Sequence, residues 1–153
     1  MKNTNLSKDF SINELIRSTT AIRRGIDNTP NEKQIRNLSA LVFLILQPVR
    51  SALGIGIIIL SGFRCSSLNK IIGGSTSSDH CNGNAADLKL TNGDNALLFN
   101  YIKDNCDFDQ LIWEYGDDNQ PEWVHVSNRD SEENRNQILK AIRINGKTKY
   151  IVL

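Results

Sequence analysis

The chain has 153 residues, enough for one domain with a substantial core and too few for several. It is 39% hydrophobic and 23% charged with a formal net charge of +1, so nothing in its electrostatics points to nucleic acid or to an acidic membrane surface. Cys65, Cys81 and Cys106 make an odd count without C-x-x-C spacing, which argues against a disulfide framework.

Residues 1–9 are polar and are expected to form a loose tail. MKNTNLSKDF carries no apolar signal core and no later run reaches membrane-spanning length, so the expectation is a monomer made in the cytoplasm without a signal peptide. Phe10 to Leu15 opens a helix, with Ser11 as N-cap, Glu14 closing a capping box, and Phe10 and Leu15 at staple positions; it should end before Gly25. A second helix starts at Asp27-Asn28-Thr29-Pro30, with Pro30 at the first helical position. Ile35, Leu38, Val42, Ile45 and Val49 recur at helical spacing, so this helix should be largely buried, and Pro48 should kink it. Ile57 to Leu60 is a continuous apolar run and reads as a buried strand ending at Ser61-Gly62-Phe63-Arg64. Ser66 to Ile72 reads as a short helix stopped by Gly73-Gly74, and Ser75 to Ser78 as a polar loop.

Asp87 to Leu90 continues as a strand that places Asp87 on one face and Leu88 and Leu90 on the other. After the turn at Asn92-Gly93-Asp94, a helix runs to about Asn105. Phe108 to Tyr115 and Glu122 to Ser127 read as an antiparallel hairpin. Gln137 to Ile144 and Lys147 to Leu153 form another around Asn145-Gly146, a strong hairpin signal. Helices gather early and strand pairs late, which implies an α+β fold with a small antiparallel sheet of about four to six strands packed against helices.

The chemistry concentrates between Ser61 and Asp87. His80 and His125 are the only histidines in the chain. Two imidazoles and a carboxylate suit a hydrolytic zinc, which takes three protein ligands and leaves a fourth position to water. His80 and Asp87 could grip one ion only if the backbone bends between them, because on a helix they would lie roughly 10 Å apart. Asn82, Gly83 and Asn84 tolerate the left-handed angles such a bend needs. Cys81 beside His80 is read as a bystander, since adjacent side chains on extended backbone point apart. Arg64, presented at a strand end, is either a surface turn residue or a bidentate grip on a substrate carboxylate.

Four ordered motifs carry a resemblance: S-G-F-R (Ser61 to Arg64), G-G-S-x-x-S-x-H (Gly73 to His80), H-x-x-G-x-A-x-D (His80 to Asp87) and W-V-H-V-S (Trp123 to Ser127). Together they resemble the zinc D-alanyl-D-alanine peptidases, a family that takes in hedgehog-like carboxypeptidases, vancomycin-resistance dipeptidases and phage endolysins. The likeness runs from about Phe10 to the C-terminus and is nearest to short phage- and prophage-type members. It implies one Zn2+ per chain on His80, Asp87 and His125, substrate binding by Arg64 and Ser78, and a peptidoglycan stem peptide as the partner. Ser78 could equally be a turn serine bonding its own backbone. A lytic role would need a holin or a phage particle for delivery to the wall. Two glutamates compete for the general base: Glu122, in an E-W-V-H that resembles the dipeptidases, and Glu114, in an F-D-Q-L-I-W-E that resembles the hedgehog strand. If Glu114 pairs with Trp123 and Ile112 with His125, Glu114 lies diagonal to His125 on one face, which favours Glu114. The same scaffold could alternatively serve as a zinc-bearing binding module without turnover, as in hedgehog domains.

Overall fold

The computed structural model describes residues 4–129 and 133–153. A six-stranded sheet is its framework: β1 (Ile57–Ser61), β2 (Ala85–Leu90), β3 (Gln110–Glu114), β4 (Trp123–Ser127), β5 (Gln137–Ile144) and β6 (Lys147–Val152), in the spatial order β1-β2-β4-β3-β5-β6. The helices are α1 (Ile12–Ile16), α2 (Thr19–Arg24), α3 (Glu32–Leu41), α4 (Gln47–Leu53), α5 (Ser66–Ile71) and α6 (Asn95–Asn105). The α+β class holds, but the sheet is mixed rather than wholly antiparallel, because β5 runs parallel to β3. The Asn145-Gly146 turn, both residues left-handed, closes the β5–β6 hairpin as the sequence indicates.

Period-two alternation divides the sheet into two faces. Leu88, Leu90, Leu111, Trp113, Val124 and Val126 are buried against Leu38, Leu41, Val42, Ile45 and Val49 of the long helical segment and against Leu98, Phe99 and Ile102 of α6. The other face carries Asp87, His125, Ile112 and Glu114, so the site is built on the side that the main core leaves free.

Several local expectations are corrected. Residues 1–3 lie outside the described residues. Residues 4–9 are held against the fold: Leu6 packs on the core, Leu6 N–H donates to Phe10 O at 2.9 Å, and Ile12 N–H donates to Thr4 O at 2.9 Å. The first helix is two, because Arg17 is extended and Ser18 caps α2 by accepting from Ala21 N–H; Gly25 in a left-handed conformation ends α2. Pro30 sits one residue before the N-cap, which is Asn31, reciprocally bonded to Gln34. A π-helical turn, Val42–Leu46, precedes Pro48, and the helical segment continues past the proline as α4, with Pro48 in its first turn. β1 is an edge strand, and Ile58 and Leu60 are half exposed rather than buried.

Asp109, fully buried at the start of β3, ties the chain entering β5 to the sheet. Arg135 grips it with Nε at 2.7 Å and Nη2 at 2.6 Å, while Arg129 Nε stands 3.3 Å away and reaches Asp79 with Nη2. Burial alone would raise the Asp109 pKa, but the hydrogen bonds from Arg135 and the charge of Arg129 outweigh it and hold the carboxyl below its usual range. A depressed folded-state pKa means that this contribution is present above the unfolded value and is lost as pH falls through the folded one. Asp109→Asn should therefore cost about 2–3 kcal/mol in urea unfolding at pH 7, the two arginines being partly solvated. The gap from wild type should begin to narrow as pH falls below about 4 and close below the depressed folded-state pKa. A variant as stable as wild type at pH 7 would contradict the role given to this cluster.

Candidate metal centre and cleft

His125 sits in the middle of β4 and pairs with Asp87 on β2 and with Ile112 on β3. Directly opposed residues on an antiparallel ladder share a face with Cβ atoms about 5 Å apart, so strand register alone brings His125 to Asp87. His80 arrives by a different route. It lies in a short 3-10 turn, Asp79–Asn82, that Gly83 closes at φ 76°. A Cβ at Gly83 would stand 2.6 Å from the Gln34 carbonyl, so the bend requires glycine both for its angle and for the close approach of α3. α3 holds the turn through Gln34 Nε2 to Cys81 O (2.9 Å) and Asn37 Nδ2 to Asn82 O (2.8 Å).

Three atoms converge: His80 Nε2, Asp87 Oδ1 and His125 Nδ1, with separations of 2.9, 3.3 and 3.4 Å. Ligands of a tetrahedral zinc with bonds of about 2.0–2.1 Å stand about 3.3 Å apart, so the triangle fits that ion. The protonation pattern agrees. His80 Nδ1 faces the Gly62 carbonyl at 2.7 Å and must carry the proton there, which turns the Nε2 lone pair inward. Burial pushes the His80 pKa down and keeps the ring neutral, although Asp87 opposes this. Burial also works against the Asp87 charge, but the two imidazoles hold that carboxyl well below the usual range. The result is a neutral imidazole and an ionised carboxylate facing the second ring, a donor set suited to a divalent cation.

The triangle lines a cleft of about 530 Å³. Arg64 lines it, with Nη1 3.7 Å from Asp87 Oδ2 and 3.3 Å from Ser61 Oγ, and Nη2 3.4 Å from Ser78 Oγ. Among the described residues its Nε has no hydrogen-bond partner. Ser78 precedes the 3-10 turn without capping it, and its hydroxyl accepts from Arg64 Nη2. Glu114 lines the same cleft and is only 7% exposed. Burial, with Asp87 adding to it and His125 and Arg64 opposing, pushes its carboxyl up to about 7. The register is the one that puts Glu114 opposite Trp123. Glu122 is exposed and outside the cleft lining; its backbone N–H merely closes the turn onto Glu114 O at 2.9 Å.

Sequence reasoning did not single out Gly62, whose carbonyl sets the His80 tautomer, or the cleft residues Trp123, Tyr115 and Tyr150. Trp123 had a signal, since W-V-H at period two puts it on the face of His125. Gly62 is packed so closely that a Cβ would fall 2.3 Å from the Leu15 carbonyl. Gly62→Ala should displace that segment, lower the melting temperature and weaken zinc binding about 10–100-fold, the usual range for losing an outer-shell partner. Competition with a chromogenic chelator reads the affinity. Wild type should bind one zinc per chain, whereas wild-type affinity in the variant would mean that the Gly62 contact does not orient His80.

With the geometry in hand, comparison with known proteins gives a family. Among curated proteins no relative matches. The Peptidase M15 family matches residues 8–127, a span that contains all four motifs, both histidines, Asp87 and both glutamates. The chain belongs to the peptidase M15 family of zinc metallopeptidases.

Proposed function

We propose that this protein hydrolyses an amide bond in the stem peptides of peptidoglycan, using zinc held by His80, Asp87 and His125. The observation that carries the reading is the placement of Glu114 in one cleft with the ligand triangle and Arg64. When bound, zinc supplies Lewis-acid polarisation of the scissile carbonyl and a lowered pKa for the attacking water.

The chain's own residues supply the rest. Glu114 is buried enough to hold a proton near neutral pH and ionised enough to take one, as a group that first accepts a proton and then delivers it to the leaving amine must be. Arg64 offers a rigid cationic fork at the edge of the triangle. Burial works against its charge, and Asp87 is the largest influence sustaining it. A fork so placed suits a substrate whose leaving amine belongs to a residue with a free α-carboxylate. In stem peptides that describes the D-Ala-D-Ala bond and, through the γ-linkage of D-glutamate, the L-Ala-D-Glu bond. Both carboxypeptidase and endopeptidase products are therefore sought together.

Purified cell walls digested with zinc-loaded protein should release peptide fragments identifiable by mass spectrometry, and a chelator should stop the release. Fragments unchanged in chelator would exclude the zinc mechanism, and intact walls that retain bound protein would favour a recognition module. Glu114→Gln should lower kcat about 10²–10⁴-fold, the range for a general acid–base group, while keeping zinc. Glu122→Gln should stay near wild type, and the reverse outcome would reassign the base.

The pH profile gives an independent check. Glu114 works as a base only when ionised, so kcat/KM should fall on the acid side as it takes up a proton. A bound cation draws the Glu114 pKa downward, so the midpoint should lie at or below about 7. An acid limb with the same midpoint in residual Glu114→Gln activity would assign that limb to another group.

A further inference from the structure

One wall of the cleft comes from β5 and β6, which lie beyond residue 127, where the family match ends. Leu139, Thr148 and Tyr150 line the cleft from this hairpin. Register sets their position. Trp123 pairs with Glu114, Glu114 with Ala141 and Ala141 with Tyr150, giving one cross-strand row on the site face of four successive strands. Ala141 is fully buried despite its small side chain, so its neighbours close over it. Tyr150 and Glu114 flank that methyl with no bulk between them.

The hairpin is fastened where it meets β3. Tyr115, held in a left-handed backbone conformation at φ 55°, makes a 2.7 Å hydrogen bond between its hydroxyl and Thr148 Oγ1. The Arg143 guanidinium lies over the Tyr115 ring at 4.6 Å. A bulky residue at positive φ is uncommon, and here it coincides with the contact that fixes the wall to the strand bearing Glu114. Tyr150 differs from Tyr115 in one respect: among the described residues its hydroxyl has no hydrogen-bond partner, and the residue is 53% exposed in the cleft. Burial, with the charges of Glu114, Tyr115 and Asp87 adding to it, pushes the phenol up, so it stays protonated and can donate.

We propose that Tyr150 is a substrate-contacting residue, its hydroxyl donating a hydrogen bond to a backbone carbonyl of the peptide lying over Glu114, and that the β5–β6 hairpin is a specificity wall of the cleft. The inference rests on the peptide reading of the site, but binding tests it apart from turnover. In zinc-loaded protein, Tyr150→Phe should lower kcat/KM on wall peptides about five- to tenfold, the worth of one neutral hydrogen bond, and Tyr150→Ala should lower it further. Melting temperature and zinc stoichiometry should not move. In a Glu114→Gln background, which holds substrate without cutting it, Tyr150→Phe should weaken the calorimetric affinity for a soluble muropeptide by a similar factor.

Equal kcat/KM and equal affinity in wild type and both Tyr150 variants would overturn the proposal. So would losses that track a lower melting temperature or lost zinc, since those are structural. If wild type cuts no wall, the hydrolase reading fails by itself. Muropeptide binding weakened by Tyr150→Phe would then still support the contact, and binding unaffected by it, or no binding at all, would overturn it.

Discussion

Two nitrogens and an oxygen with lone pairs facing one another, 2.9–3.4 Å apart, are the constraint around which this fold is arranged. A single proton on His125 satisfies one side of the triangle. The side between His80 Nε2 and Asp87 Oδ1 still sets acceptor against acceptor at 3.4 Å, which is unfavourable unless a cation lies between them. The protein meets that demand with two independent devices. Pairing of β2 with β4 sets Asp87 beside His125, where a slip of one residue would turn both away. A glycine-closed turn docked on α3 brings His80 from outside the sheet. Because the helices take up one face for the core, the other is free to carry ionisable groups without sacrificing burial.

The Asp109 cluster extends this arrangement away from the metal. Arg129 bridges buried Asp109 to Asp79, the neighbour of His80, so the turn that carries a ligand is also braced from the side of β3 and β5. Buried charge is tolerable there because Arg135 matches both carboxylate oxygens at short range, which is the geometry that offsets desolvation.

Much of the site was legible in the sequence because its determinants are local or strictly periodic. The bend at Gly83 could be read from Asn-Gly-Asn, and the alternation around Asp87 gave its face. The hairpin register that favours Glu114 over Glu122 was an assumption at the level of sequence, and only the observed pairing of Glu114 with Trp123 supplies it. What the sequence concealed depends on distant partners. Asn145-Gly146 declares that β5 pairs with β6 but is silent on which strand lies on the other side of β5, so the parallel pairing with β3 was out of reach. Edge position, not composition, exposes Ile58 and Leu60. The π turn before Pro48 is a helix accommodating a proline without breaking, and no residue in Val42–Leu46 announces it. The break at Arg17-Ser18 did have a signal, because Ser18 before Thr-Thr-Ala is a favoured N-cap residue.

The parallel placement of β5 separates, along the chain, the candidate ligands from one wall of the cleft. Every ligand atom and Glu114 lie at or before Ser127, whereas the hairpin that closes the cleft is contributed afterwards and joins the sheet along a single border, that of β3. Replacing that hairpin would exchange one side of the cavity while keeping every candidate ligand side chain in the chain. One border of the sheet thus carries the whole junction between the residues gathered around the triangle and the wall that faces them.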